Sequence, residues 1–173
     1  MCLAFDIDWD LTRGQGTIDL QSPNLQIAAV QGFAVSLPFE IQQGLLDFES
    51  KVAILAGEEA PNISVTAQLT EGSIKSPKLP KPITQIAGKL NYDGTTASLK
   101  EFVAEYDFLK ATVEGTFDQQ KGFNVNFAST SLDLAKAIES FKVKVPVMIA
   151  GEIKLSGKLT GTSQKPALTM RIS

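Results

Sequence analysis

Histidine is absent from this sequence, and cysteine occurs once, at position 2. These two side chains supply many of the nucleophiles, general bases and zinc ligands that work near neutral pH. A single cysteine also excludes a disulfide within the chain, so the redox compartment stays open. The composition disfavours an enzyme, and we expect no catalytic residue, no metal site and no cofactor.

An excess of charge of one sign is also missing. The 16 lysine and arginine residues stand against 19 aspartate and glutamate residues, which gives a formal net charge of -3. The lysines are spread among the acids, so the chain has no basic field for nucleic acid or for an anionic membrane surface. We expect no nucleic-acid partner.

Long hydrophobic runs are absent as well. No run approaches the roughly 18 apolar residues that a membrane-spanning helix needs. Residues 1–10 are too acidic and too alternating for a signal peptide. Because a strand-like pattern begins at Leu3, directly after Met1, we expect this sequence to be a fragment of a longer protein.

Alternation of apolar with polar residues extends over nearly the whole chain. Phe123, Val125 and Phe127 are one example, and this period of two places every second side chain on the same side of a β-strand. The length of 173 residues and the apolar content of 43% suit a single domain. Strand-like runs cover residues 3–10, 16–20, 33–41, 45–55, 62–70, 85–92, 96–105, 109–117, 122–128, 142–150, 152–160 and 167–172.

Short turns separate these runs. The pair Asp93-Gly94 predicts a tight hairpin, because glycine accepts the positive φ of the primed turns. Gln120, Lys121 and Gly122 predict another reversal. We therefore expect sequential strands to pair antiparallel.

One stretch, residues 131–141, has helical periodicity. Leu134, Ile138 and Phe141 recur at helical spacing, and Thr130 with Asp133 three residues later predicts a capping box. We expect this short helix to pack on the apolar face of the sheet.

The alternation breaks at residues 73–82, which contain three prolines and three lysines but no acid. This composition favours extended or polyproline II backbone. We interpret the stretch as a connector and a candidate sub-boundary within one unit over 1–173.

Three aspartates alternate with the apolar residues of the first strand. Asp6, Asp8 and Asp10 imitate the start of a calcium loop, yet Leu11 replaces the glycine at position six and Thr17 replaces the final glutamate. The pattern favours a solvated strand face.

Glycine-punctuated cassettes recur in the second half. Residues 86–94 have the form I-x-G-x-L-x-Y-D-G, and residues 113–117 have the form V-x-G-x-F. Residues 151–168 have the form G-x-I-x-L-x-G-x-L-x-G-T-x-x-x-P-x-L. These motifs resemble the AsmA-like superfamily, and most closely the C-terminal region of the TamB family. The likeness is best over 83–173.

The likeness is looser toward the N-terminus, where the segment 33–52 is similar to the family's repeating units. Met170 stands where family members often have a further glycine, which leaves the register of the last strand open. The resemblance implies an all-β fold of the β-taco type, a long curved antiparallel sheet that forms an open trough with an apolar interior.

The resemblance also implies a function and a location. Members of the family act in outer-membrane biogenesis and carry phospholipid between the membranes of diderm bacteria, or assist insertion of outer-membrane proteins with a BamA-type barrel partner. The expected location is the periplasm, with the full-length protein anchored in the inner membrane by a segment absent here. Expected partners are phospholipid acyl chains and a BamA-type barrel protein.

Alternation alone also fits a closed β-sandwich, in which inward side chains fill the space between two sheets. The number of strands and the glycines at 88, 115, 151 and 157 favour an open, curved sheet. A carbohydrate-reading sandwich is a third possibility, but one tryptophan and two tyrosines supply few aromatic contacts.

An open sheet has a candidate groove and two free edges. The edges predict β-augmentation by a client strand, and edge-to-edge self-association of the isolated fragment. The candidate lipid-groove residues are Leu90, Tyr92, Leu99, Val113, Phe117, Phe123, Val125, Phe127, Val145, Val147, Ile153, Leu155 and Leu159.

Overall fold

The structure is a computed structural model that describes residues 3–30, 39–58, 60–107, 109–142, 144, 146 and 149–173. Strands account for most of these residues, and the two helices are short. In chain order the elements are β1 (Ala4–Asp10), β2 (Gln15–Gln26), α1 (Ile27–Val30), β3 (Glu40–Ile54), β4 (Asn62–Lys75), β5 (Ile83–Tyr92), β6 (Thr96–Tyr106), β7 (Leu109–Asp118), β8 (Gly122–Ser129), β9 (Leu132–Asp133), α2 (Leu134–Ser140), β10 (Glu152–Ile153), β11 (Leu155–Gly161) and β12 (Pro166–Ile172).

Ten of the strands form one antiparallel sheet in the order β1-β2-β3-β4-β5-β6-β7-β8-β11-β12. Each strand pairs with its neighbour in the chain, except that β11 pairs with β8. The sheet does not close, since β1 and β12 lie at its two edges. The all-β, open antiparallel prediction is therefore confirmed.

The closed sandwich is wrong, because the described residues form no second sheet that packs on the first. The only other ladder that the structure describes is the two-residue pairing of β9 with β10. Among the described residues, Leu25 and Ala67 are the only buried apolar side chains. A sandwich of this length would bury the inward residues of most strands.

The predicted hairpins form where glycine and aspartate punctuate the alternation. Gly94 takes φ 97° between β5 and β6, and the Asp93 N–H donates to the carbonyl of Thr96 at 3.2 Å. Gly122 takes φ 83° at the start of β8. Both values lie in the left-handed region, which glycine enters without steric cost.

Bulges interrupt four of the long strands, β2, β4, β5 and β6. Each contains a non-glycine residue in the left-handed region: Asn24, Glu71, Gln85 and Glu101, with φ between 52° and 55°. The paired register shifts at each of these sites. Bulges bend a strand and increase its twist, so these strands are bent across the sheet.

The helix is shorter than the sequence predicted. It begins at Leu134, and Asp133 caps it by accepting the N–H groups of Ala135 and Lys136. Thr130 is not the cap. Its N–H donates to the carbonyl of Lys110, and its hydroxyl oxygen accepts from the Lys110 N–H.

Four of the predicted strand runs do not correspond one to one to observed strands. The runs 33–41 and 45–55 share the single strand β3 from Glu40 onward, while residues 33–38 lie outside the described part. The run 152–160 is broken at Lys154 into β10 and β11. In the run 142–150, the described residues 142, 144, 146, 149 and 150 are not in a strand.

The predicted connector is shorter than 73–82, because β4 continues through Lys75 and β5 begins at Ile83. The strands that it joins are neighbours in the sheet, with Ile74 opposite Ile83. Among the described helices, none is long and apolar enough to cross a membrane.

Candidate functional site: an apolar sheet face

The strand registers align alternating apolar residues into rows that cross the sheet. One row runs from Leu90 on β5 through Leu99, Gly115 and Val125 to Leu159 on β11. Directly paired residues on antiparallel strands point to the same side. The row therefore lies on one side of the sheet, which we call the apolar face.

Ten of the predicted groove residues share this face. Every second residue of a strand lies on the apolar face. Between β7 and β8, Phe117 pairs with Phe123 and Val113 pairs with Phe127. The ten are Leu90, Tyr92, Leu99, Val113, Phe117, Phe123, Val125, Phe127, Leu155 and Leu159.

Of the other three predicted groove residues the structure describes only Ile153, which is not part of the ten-stranded sheet. Ile153 belongs to the separate ladder and pairs with Leu132 of β9. Val145 and Val147 lie outside the described residues.

The N-terminal half extends the apolar face beyond the predicted set. The same rows continue through the registers of β1 to β4, so the face spans all ten strands. The alternation of β1 to β4 was visible in the sequence, but the predicted groove residues began only at Leu90. The added residues include Phe5, Ile7, Trp9, Ile18, Leu20, Leu46, Phe48, Val52, Ile63, Val65 and Leu69.

Glycines on this face lie beneath rings of neighbouring strands. A Cβ atom on Gly88 would clash with the ring of Phe102, and one on Gly157 would clash with the ring of Phe127. A Cβ atom on Gly16 would likewise clash with the ring of Trp9. The rings thus lie flat over the backbone, which covers peptide groups and makes the face more apolar.

Phe102 was missed by the alternation because a bulge precedes it. Leu99 pairs with Gly115 and Phe102 pairs with Val113, so two residues of β6 stand opposite one residue of β7. The bulge returns Phe102 to the side of Leu99, although three positions separate the two residues.

The apolar face has an aromatic cluster with one hydrogen-bonded hydroxyl. The rings of Phe117 and Phe123 lie 4.7 Å apart between centroids. Near them, the Tyr92 hydroxyl donates to the carbonyl of Gly94 at 2.7 Å and accepts from Nε2 of Gln119 at 3.1 Å. The hydroxyl is therefore satisfied at the hairpin end.

Exposure of the apolar face increases toward the sheet edges. Residues of the face in β5 to β8 are half-buried, whereas Phe5 of β1 is 66% exposed and Ile172 of β12 is 65% exposed. Soluble monomers rarely expose contiguous apolar patches of more than a few hundred Å². The apolar face crosses all ten strands and is exposed at both edges, and a large exposed apolar patch marks an interaction site.

The opposite face is polar and carries cross-strand ion pairs. Lys51 and Asp19 are directly opposed at 3.8 Å. Lys89 faces another lysine across β5 and β6, and the bulge residue Glu101 places its carboxylate 2.8 Å from the Lys89 ammonium. The hydrogen bond from Lys89 lowers the pKa of Glu101 below its ordinary value.

Two depressions of about 350 and 320 Å³ lie mainly on the polar face. The first is lined by the row Val103, Thr112 and Ala128, and the second by residues that include Asp47 and Gln68. Neither gathers the convergent catalytic side chains of an enzyme pocket. The described residues also form no cluster of three or more metal-ligating side chains.

The helix α2 contacts one end of the sheet. Phe141, at the C-terminus of α2, stacks on Tyr106 of β6 with ring centroids 5.5 Å apart. Asp107 accepts from Lys81 at 2.7 Å and from the Ser140 hydroxyl at 3.0 Å, and both bonds lower its pKa. The helix thus contacts the apolar face at its margin, and no described residue of α2 is buried.

Comparison with known proteins adds no relative to this picture. No protein-family model, no curated protein and no solved structure matches the chain. The fold and the site define a class by themselves, which is an open antiparallel sheet with one apolar and one polar face.

Proposed function

We propose that this chain is a periplasmic segment of a TamB- or AsmA-like protein that carries phospholipid between membranes in outer-membrane biogenesis. The apolar face is the surface that contacts the acyl chains. The observation that carries the proposal is the continuity of this face across ten strands, over which the described part of the chain places no second sheet. The glycine cassettes of the second half support the family assignment.

The energetics of acyl chains suit such a face. Each methylene that leaves water contributes about 0.8 kcal/mol, and no directional contact is needed. A lipid can therefore move along the rows without breaking specific bonds. The function needs no catalytic group, cofactor or metal.

The test is a single charge within the apolar face. Val125 lies between Gly115 and Leu159 in one of the apolar rows. A carboxylate here would lose its hydration whenever an acyl chain covers it. We expect Val125→Asp to reduce phospholipid that co-purifies with the chain about tenfold or more, measured by native mass spectrometry and lipid extraction.

The matched control is Asn126→Asp on the same strand. Asn126 is exposed on the polar face, so this variant adds the same charge to the other side. It is expected to retain lipid at the wild-type level, and circular dichroism should show both variants folded. A lipid-free wild type, or equal retention by Val125→Asp, would refute the proposal.

A second candidate function is supported by the two free edges. β1 and β12 each have one unpaired row of backbone N–H and C=O groups, which can accept a strand of an outer-membrane client or of a BamA-type barrel. This role predicts that Thr169→Pro abolishes client binding while Val125→Asp leaves it unchanged. Pull-down of an outer-membrane barrel precursor by both variants distinguishes it from the lipid role.

A further inference from the structure

The two edges of the sheet carry opposite charge on the polar face. β1 has Asp6, Asp8 and Asp10 and no basic residue. β12 and its neighbour β11 have Lys158 and Arg171 and no acidic residue. Among the ion pairs in the described part of the chain, none involves either of these two cations.

The acidic edge also holds an unfavourable pair. Asp6 lies directly opposite Asp19 of β2, and like charges at paired positions destabilise a sheet. Lys51 approaches Asp19 at 3.8 Å from the other side, which leaves Asp6 next to the open edge. A cation supplied from outside that edge would compensate Asp6.

Strand direction allows the two edges to join. Each strand of the ten-stranded sheet runs antiparallel to its neighbour, so the tenth strand, β12, runs opposite to the first, β1. When a second copy lies in the same orientation beside the first, its β1 pairs antiparallel with β12. The apolar faces then lie on the same side, and the sheet continues from one copy to the next.

The register follows from the two faces. A shift of one residue would turn apolar residues to the polar face, so only shifts of two are allowed. One allowed register places Phe5 opposite Ile172 and Ile7 opposite Met170, and on the polar face it places Asp6 opposite Arg171. These four side chains are among the most exposed large apolar side chains of the described residues, at 54% or more.

We infer that β12 of one copy pairs with β1 of a second copy, head to tail, with Asp6 opposite Arg171 and Asp8 opposite Thr169. The assembly is heterologous, and repeated pairing extends the apolar face into a continuous surface. Two-fold pairing of β1 with β1 is disfavoured, because it would oppose aspartates to aspartates. The inference concerns this chain by itself and rests on its two edges, whether or not the face binds lipid.

Disulfide trapping tests both the partner and the register. In a Cys2→Ser background, Asp8→Cys and Thr169→Cys are made in separate chains. The expected result is a crosslinked dimer when the two variants are mixed, and none with either variant alone. Replacing Asp8→Cys by Asp10→Cys shifts the register by two residues and should reduce crosslinking to Thr169→Cys.

The other outcomes would overturn the inference. A dimer of Asp8→Cys alone indicates two-fold β1 pairing, and a dimer of Thr169→Cys alone indicates two-fold β12 pairing. A chain with both cysteines that forms an internal disulfide as a monomer indicates that the sheet closes on itself. If every mixture stays monomeric without crosslinks, the chain does not self-associate through these edges, and a client strand of another protein is the remaining occupant.

Charge reversal tests the complementarity independently. Arg171→Glu places a carboxylate opposite Asp6, and we expect about threefold to tenfold weaker self-association by sedimentation velocity. Adding Asp6→Lys to the same chain should restore it, because every contact then pairs a lysine on β1 with a glutamate on β12. Lys78→Glu, in the loop between β4 and β5, is the control and should leave association unchanged. Equal weakening by the control would refute a specific pairing.

Discussion

At the residue scale, glycine decides how the apolar face is built. Gly88 and Gly157 have no Cβ, and the space is filled by the rings of Phe102 and Phe127 from adjacent strands. The close approach covers backbone with aromatic surface. These two rings are therefore coupled to glycines one strand away.

This coupling predicts the effect of one added methyl group. Gly88→Ala places a Cβ against the ring of Phe102, and overpacking of this kind costs about 1–3 kcal/mol. The variant is expected to lower the free energy of unfolding by that amount in urea titration. In a Phe102→Ala background the same substitution should cost much less. Equal costs in the two backgrounds would contradict the ring–glycine contact.

At the element scale, the hairpins are held by aspartates that accept backbone N–H groups. Oδ1 of Asp93 accepts from Thr96 at 2.8 Å and from Thr95 at 3.0 Å. Oδ1 of Asp118 accepts from Lys121 at 2.8 Å and from Gln120 at 2.9 Å. These bonds favour the ionised carboxylate and lower the pKa of Asp93 and of Asp118 below the ordinary 3.8.

A lowered pKa in the folded state sets the direction of the pH dependence. The stabilisation by Asp93 and Asp118 is full above their ordinary pKa of 3.8 and is lost as the pH falls through their lowered pKa values. We expect the free energy of unfolding to fall on acidification below pH 3.8. The double variant Asp93→Asn/Asp118→Asn should show a weaker pH dependence in denaturant titrations at several pH values.

Glu114→Gln is the matched control for this pH dependence. Glu114 is an exposed carboxylate on the polar face of β7, away from the hairpin turns. Its removal should leave the acid transition unchanged. An unchanged acid transition in the double variant would show that the hairpin carboxylates do not contribute.

At the scale of the whole molecule, stability is distributed along one dimension. Each strand packs only beside its neighbours in the sheet, and no central core joins distant strands among the described residues. Repeat proteins show the same nearest-neighbour behaviour. The strands at the ends therefore have one stabilising interface, while internal strands have two.

Hydrogen exchange should follow this gradient. Amides of β1 and β12 are expected to exchange at least about tenfold faster than those of β4 to β7, because the edges open without disturbing the centre. Peptide-resolved mass spectrometry measures this directly. If the chain self-associates as inferred, protection of both edges should rise together with concentration. Uniform exchange from all strands would contradict the nearest-neighbour description.

The alternation and the turn residues predicted most of the fold. Pairing of sequential strands follows from short hairpins such as Asp93-Gly94, because a short turn brings its flanking strands together. The bulge at Glu101 could not be predicted, since it accompanies a register shift between β6 and β7, which long-range pairing decides. Phe102 was missed for the same reason.

The segment 142–150 shows the limit of alternation. Its described residues are not in a strand, although its apolar residues repeat with period two. β11 pairs with β8 in the position that a strand directly following β8 in the chain would take. Propensity alone cannot say which segment takes a sheet edge, because that choice depends on long-range pairing.

The sequence by itself determined the class of fold and the existence of two opposite faces, because a period of two is a local property of the chain. It also determined the hairpins, whose glycines and aspartates act within about four residues. Only the tertiary structure decided that the sheet stays open, that β11 joins β8, and that the apolar rows cross all ten strands. Those features depend on contacts between residues far apart in the chain, where register and edge occupancy are chosen by the sum of many pairings.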